Sequence, residues 1–154
     1  MNIISSLLPL TNILVDLDAS SKKRAFEQVG LLFENQYGIN RNSVYTSLFD
    51  REKLGSTGLG RGVAIPHGRL KGIKGAKGAF LRLLKPVLFD APDNQPVGMM
   101  FVLLAPESAN EKHLQLLSEL AQIFSDDKMR TDLANATNAA EVHQLFVKWL
   151  PVTL

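Results

Sequence analysis

Between Asp18 and Gly38 the apolar residues Phe26, Val29, Leu32 and Phe33 recur three and four apart, which marks one face of an α-helix. Asp18-Ala-Ser-Ser supplies the start, with Ser20 or Ser21 as the N-cap that accepts from a free amide of the first turn. Gly38 supplies the stop, since glycine enters the left-handed conformation that ends helices at little cost. A second helix is predicted from a cap at Asn40 or Asn42, through Val44, Leu48 and Arg51, to an end at Gly55. The pattern then changes. A glycine-rich stretch, Gly55 to Gly62, reads as a loop, and Val63-Ala64-Ile65 is a short apolar run before Pro66. A residue before proline is pushed toward extended backbone, so a short strand is predicted there, with His67 and Gly68 just past its end.

Two longer strands follow, over Gly75–Leu84 and Val97–Leu104. The second is continuously apolar, as a central strand buried on both faces should be. Lys85 to Pro96 holds three prolines and reads as a long connection with only short pairing. Ser108-Ala-Asn-Glu111 has the spacing of a capping box. The helix it opens carries His113, Leu117 and Leu120 along one stripe as far as Phe124. Shorter helices are predicted near Asp127–Ala136 and Asn138–Trp149. Helices, then strands, then helices, without a visible linker, repeat or low-complexity tract, predict an α/β fold: a single domain over residues 1–154, built as a mixed β-sheet flanked by helices on both faces.

Composition narrows the function classes. The 17 Lys and Arg against 15 Asp and Glu leave a net charge of +2, too little to point to nucleic acid or an anionic membrane. There is no cysteine, which excludes disulfides, thiolate metal sites and cysteine nucleophiles. The first ten residues contain no Lys or Arg and so lack the positive start of a secretory signal. The most apolar stretch, Met99 to Ala105, is far below the roughly 20 residues of a membrane helix, so no membrane insertion and a cytoplasmic location are expected.

The candidate chemistry lies between Arg51 and Arg69. Gly55, Gly58, Gly60 and Gly62 would let backbone amides approach an anion, and Ser56 and Thr57 add hydroxyl donors. A nucleotide P-loop is excluded, because no Lys-Ser or Lys-Thr follows the last glycine. The dinucleotide fingerprint fails as well, since Gly58, Gly60 and Gly62 alternate. Taken alone, the glycines fit a flexible surface loop. His67 has a strand end before it, Gly68 after it, and Arg51, Arg61 and Arg69 near it in sequence. Neutral imidazole is a good phosphoryl acceptor at physiological pH. On the residues alone, that reading and a histidine merely satisfied in a loop stand level. His113 sits at a helix start, where free amides and the helix dipole favour anions. His143 has no evident role. A metal hydrolase using His67, His113 and a carboxylate is a weaker reading, because no local ligand motif is present. A pure interaction module is a third.

Ser56-Thr-Gly-Leu-Gly-Arg-Gly-Val-Ala-Ile-Pro-His67-Gly68 resembles the active-site signature of the enzyme IIA proteins of the bacterial phosphotransferase system, fructose/mannitol type. The resemblance takes in the early Ser-Lys-Lys-Arg-Ala helix, Arg51-Glu-Lys, the Phe89-Asp-Ala-Pro-Asp-Asn-Gln-Pro-Val97 segment, and His113-Leu before a helix. Within the family the chain is most similar to the nitrogen-regulatory branch, through Asp93-Asn-Gln-Pro and the lack of fused IIB or IIC domains.

The resemblance implies a regulatory phosphocarrier that accepts a phosphoryl group from an HPr-like carrier, and ultimately from phosphoenolpyruvate. It implies Nε2 of His67 as the acceptor, His113 as the second active-site histidine, and Arg51 as a phosphate-stabilising cation. No metal or cofactor is needed in that scheme. Target proteins in potassium transport or in nitrogen and carbon metabolism are implied, and passage of the group to a IIB protein for sugar uptake is the alternative. Arg61 departs from some sugar-transporting members, which carry an acidic or neutral residue there. Close docking of a carrier predicts an apolar rim around His67 that includes Leu59 and Leu70, with Arg61 and Arg69 beside it.

Overall fold

The computed structural model describes residues 3–108 and 110–150. A short helix α1 (Ile3–Ser6) and a 3-10 turn (Leu10–Asn12) lead into strand β1 (Ile13–Leu17), and helices α2 (Lys22–Tyr37) and α3 (Arg41–Lys53) follow. Strands β2 (Gly58–Gly60), β3 (Val63–Ala64), β4 (His67–Leu70), β5 (Lys77–Val87) and β6 (Val97–Pro106) come next. Helices α4 (Asn110–Ser125), α5 (Asp127–Asn135) and α6 (Ala139–Lys148) close the described chain.

The apolar run of β6 is the axis of the fold. It pairs antiparallel with β5 on one side and parallel with β3 and β4 on the other. β1 extends the sheet beyond β5 and β2 beyond β3, so the strand order is β1-β5-β6-β3-β2, with β4 also on β6. Successive side chains of a strand point to opposite faces. Met100, Val102 and Leu104 accordingly pack with Phe26, Val29, Phe33 and Leu48 of α2 and α3. Met99, Phe101 and Leu103 pack with Leu120, Leu133 and Phe146 of α4, α5 and α6. A strand covered on both faces leaves no solvated position for a polar residue, which is why its sequence does not alternate. The mixed sheet with helices on both faces is the expected architecture.

The caps follow the sequence reading. The Ser21 side chain accepts from the Arg24 amide at 3.1 Å, Gly38 ends α2 at φ 69°, and Asn40 accepts from the amides of Asn42 and Ser43. Helix α3 stops at Lys53, with Leu54 rather than Gly55 as its C-cap. The expected capping box at Ser108–Glu111 includes Ala109, which lies outside the described residues.

Three expectations are corrected. The glycine-rich stretch is not wholly a loop, because Gly58–Gly60 pairs antiparallel with Val63–Ala64 around a tight turn. Arg61 (φ 58°) and Gly62 (φ 81°) are both left-handed, as a two-residue hairpin turn requires. His67 and Gly68 do not lie past the end of a strand but begin one, paired with Leu103 and Leu104. Pro66 has no amide to donate, but its carbonyl accepts from Leu103 at 3.0 Å, so the chain continues along β6 through the proline. Finally, β5 runs on to Val87, which pairs with Val97, and the connection shrinks to 88–96. Pro86 is tolerated because the register shifts between Arg82 and Val87. No helix among the described residues is long and apolar enough to cross a membrane.

Candidate functional site

His67 opens β4, and its half-buried ring is held at both nitrogens. Nδ1 lies 2.8 Å from the Ile65 carbonyl oxygen, which can only accept, so Nδ1 carries the proton. Nε2 lies 3.2 Å from Nε of Arg51, which can only donate, so Nε2 presents its lone pair. Two independent partners therefore impose one tautomer. Arg51 sits in the last turn of α3 and is folded back so that its Nη1 donates to the Gly55 carbonyl at 2.8 Å.

Burial lowers the His67 pKa below 6.5; the Ile65 bond opposes this, the Arg51 and Arg69 charges reinforce it, and Glu52 opposes it. At neutral pH the imidazole is uncharged and nucleophilic. His113, in the first turn of α4, brings its ring centroid to 5.5 Å from that of His67. It is only 4% exposed, and its Nδ1 is buried without a hydrogen-bond partner among the described residues. Burial, then repulsion from His67 when that ring is protonated and from the Arg69 charge, lower its pKa to about 4, so it too is neutral at neutral pH.

An open depression of about 580 Å³ lies over these groups. Ser47, Asp50, Arg51 and Leu54 line it from the α3 side, His67, Gly68 and Arg69 from β4, and His113, Leu114 and Leu117 from α4. Gly68 is there because α3 crosses β4 closely: a Cβ at this position would collide with Ser47 Oγ and come within 3.1 Å of Ser47 Cβ. The Ser47 hydroxyl in turn donates to the Arg69 carbonyl at 3.2 Å.

The structure thus brings His67, Arg51, His113, Gly68 and Arg69 together. The other sequence candidates lie elsewhere or are engaged. Ser56 Oγ donates to the Phe89 carbonyl and accepts from the Gly58 amide. Thr57 Oγ1 donates to Glu52 at 2.7 Å. The Gly55 carbonyl serves Arg51, and a Cβ on Gly58 would meet Ala91 at 2.9 Å. Gly60 and Gly62 belong to the hairpin. Gly62 sits level with Gly98 and His67 with Leu103, so about 16 Å of strand separates them. Arg61, at the hairpin tip, pairs with Asp127 at 3.2 Å, and its amide donates to Asp93. Leu59 is half exposed on β2, and Leu70 is buried in the core beneath α2 and α3. The apolar rim is made instead by Leu54 and Leu114, which are 84% and 64% exposed, with Leu117. Leu114 had a readable signal, since it lies one residue off the stripe of His113, Leu117 and Leu120.

A metal centre fits poorly. Both ring nitrogens of His67 are engaged, one by a guanidinium, and the described residues hold no cluster of three His, Asp or Glu that could bind an ion.

Residues 6–149 match the family described as phosphoenolpyruvate-dependent sugar phosphotransferase system, EIIA 2. The chain is 42% identical over 135 residues to a nitrogen regulatory protein of Pseudomonas aeruginosa, covering 87% of this chain and 88% of the other. Its fold matches the crystal structure of nitrogen regulatory protein IIA-Ntr from Neisseria meningitidis with a TM-score of 0.89 at 50% identity, over 94% of this chain and 99% of that one. The crystal structure of mannitol IIA from Escherichia coli shares the fold, with a TM-score of 0.74 at 24% identity, over 89% and 96%.

Proposed function

This chain belongs to the EIIA 2 family of the phosphoenolpyruvate-dependent sugar phosphotransferase system, and on that premise we propose that Nε2 of His67 carries its phosphoryl group. Its likeness to nitrogen regulatory proteins makes it a regulatory phosphocarrier rather than a dedicated sugar-uptake component. One observation carries the choice of atom: opposed hydrogen bonds from Arg51 and to Ile65 leave Nε2 as the only ring lone pair, at the wall of an open depression.

The donor is an HPr-like carrier bearing a phosphoimidazole, charged in turn from phosphoenolpyruvate. The Nε2 lone pair attacks phosphorus in line. An N–P bond forms to His67 as the N–P bond of the donor breaks, and the electron pair returns to the donor's imidazole. The proton stays on Nδ1 throughout, donated to the Ile65 carbonyl. Charge spreads over three phosphoryl oxygens, so positioning and electrostatics do most of the catalysis. Arg51 must leave Nε2 as the new bond forms, and its fork then serves those oxygens. His113 faces the same space as a neutral second histidine.

Two imidazoles sharing one phosphorus require close protein contact. Leu54 and Leu114 offer an apolar seat for the carrier, with Arg69 beside it. Once loaded, the site carries a phosphoryl dianion on a ring that keeps its Nδ1 proton, a net gain of about one negative charge, enough to create or abolish docking of a target. Regulators of potassium transport or of nitrogen and carbon metabolism, in the cytoplasm, are the target class we infer. The test is incubation with enzyme I, an HPr-type carrier and phosphoenolpyruvate. One acid-labile phosphoryl group should be gained by the native chain and not by His67→Ala.

A further inference from the structure

We propose that Glu52 is the positioning residue that sets both hydrogen bonds on the His67 ring. The inference rests on His67 being the phosphoryl acceptor. Glu52 is a buried carboxylate one residue past Arg51, and it does not line the depression. It accepts from the Thr57 amide at 3.0 Å, from Thr57 Oγ1 at 2.7 Å and from Lys22 Nζ at 3.1 Å. A buried carboxylate needs such a full set of donors, and it holds them firmly in return.

Two arms run from this anchor to the imidazole. Along the first, the Thr57 carbonyl accepts from the Ile65 amide at 3.0 Å, and the Ile65 carbonyl accepts from His67 Nδ1. Along the second, the turn between Glu52 and Thr57 carries Gly55, whose amide donates to the Glu52 carbonyl at 3.2 Å. The Gly55 carbonyl receives Arg51 Nη1, which aims Nε at His67 Nε2. The far side is fixed as well. Lys22 lies 4.3 Å over the Phe89 ring, and the Phe89 carbonyl accepts from Ser56 Oγ. Glu52 thereby joins the proton on one ring nitrogen to the cation on the other. Its negative charge also opposes the lowering of the His67 pKa by burial, Arg51 and Arg69.

The test uses the full chain with histidine labelled in ¹⁵N, and phosphoramidate as a small phosphoryl donor. Glu52→Gln keeps the shape and loses the charge, while Thr57→Val removes only the hydroxyl donor. Both are compared with the native chain below their melting temperatures. In Glu52→Gln, the Nε2-protonated tautomer of His67 should become detectable, the His67 titration midpoint should fall, and phosphorylation should slow about tenfold. Thr57→Val should show a smaller change in the same direction, and it decides the matter if Glu52→Gln does not fold. Folded variants with one unchanged tautomer and the native rate would overturn the proposal. Failure of the native chain to be phosphorylated at His67 would instead overturn the acceptor reading, leaving the tautomer populations to judge Glu52.

Discussion

Arg51 Nε stands 3.2 Å from His67 Nε2, so a guanidinium rests on the lone pair proposed to bond to phosphorus. The same contact keeps a proton off Nε2, since two donors cannot face each other there. Replacing Arg51 by Met removes a positive neighbour, and the His67 pKa should rise toward 6.5. It also removes the forked donor proposed for the phosphoryl oxygens. Losing one such donor costs on the order of 2–4 kcal/mol, or roughly thirtyfold to a thousandfold in rate. Histidine-detected NMR titration and rapid-quench phosphorylation measure the two effects; an unchanged rate would remove Arg51 from the mechanism.

His113 should show itself in stability against pH. Its folded pKa of about 4 lies below the unfolded value of 6.5, so between the two the unfolded chain binds more protons. Stability from this group is therefore full above pH 6.5 and is lost as pH falls toward 4. The expected loss is about 3 kcal/mol. In His113→Gln, which has no charge to gain, the difference between urea unfolding at pH 7 and pH 4 should shrink by about that amount. An identical pH dependence in both proteins would contradict the burial of a neutral imidazole.

Single-turnover transfer tests His113 in the reaction as well. His113→Ala should slow phosphorylation of His67 by an amount corresponding to about 2–4 kcal/mol. A native rate would confine His113 to packing.

Helix α3 and strand β4 approach so closely that Gly68→Ala should destabilise the fold by about 1–3 kcal/mol through overpacking. Ser47→Ala removes the nearest colliding atom and should recover part of that loss in a double-mutant cycle. Additive effects of the two changes would show that the contact is not the cause.

Carrier docking is separable from chemistry. Leu114→Asp puts a charge on the apolar rim and should raise the KM for an HPr-type donor by about tenfold or more, with little effect at saturation. An unchanged KM would move the docking surface away from α4.

Much of the frame was legible because the longest elements obey simple periods. The spacing of Phe26, Val29 and Phe33 marks α2, and the unbroken run around Met100 to Leu104 marks the central strand. Strand β1 carries no clear period, because it is five residues long and Asp16, at φ 57°, interrupts its pleat. The β2–β3 hairpin was hidden because Gly-Leu-Gly has almost no side chains to alternate. Pro66 masked the continuation into β4, since what it offers the sheet is a carbonyl and not an amide. At the site, His67 and His113 stand out from their settings in the sequence, the resemblance assigns roles to them and to Arg51, and the fold brings the three together. Glu52 lies in the Arg51-Glu-Lys segment of the resemblance, but its role gave no signal, because Asp50-Arg51-Glu52-Lys53 reads like any solvated helix end. Its burial is decided by Thr57 and Lys22, contacts that exist only once the turn after α3 has closed and α2 has packed against α3.

His67 as the phosphoryl acceptor is tested by NMR of the phosphorylated chain carrying ¹⁵N-histidine, charged through enzyme I and an HPr-type carrier with phosphoenolpyruvate. One ³¹P signal coupled to Nε2 of His67 is expected, with Nδ1 still protonated. Phosphorus on Nδ1, on His113 or on any other residue would contradict it.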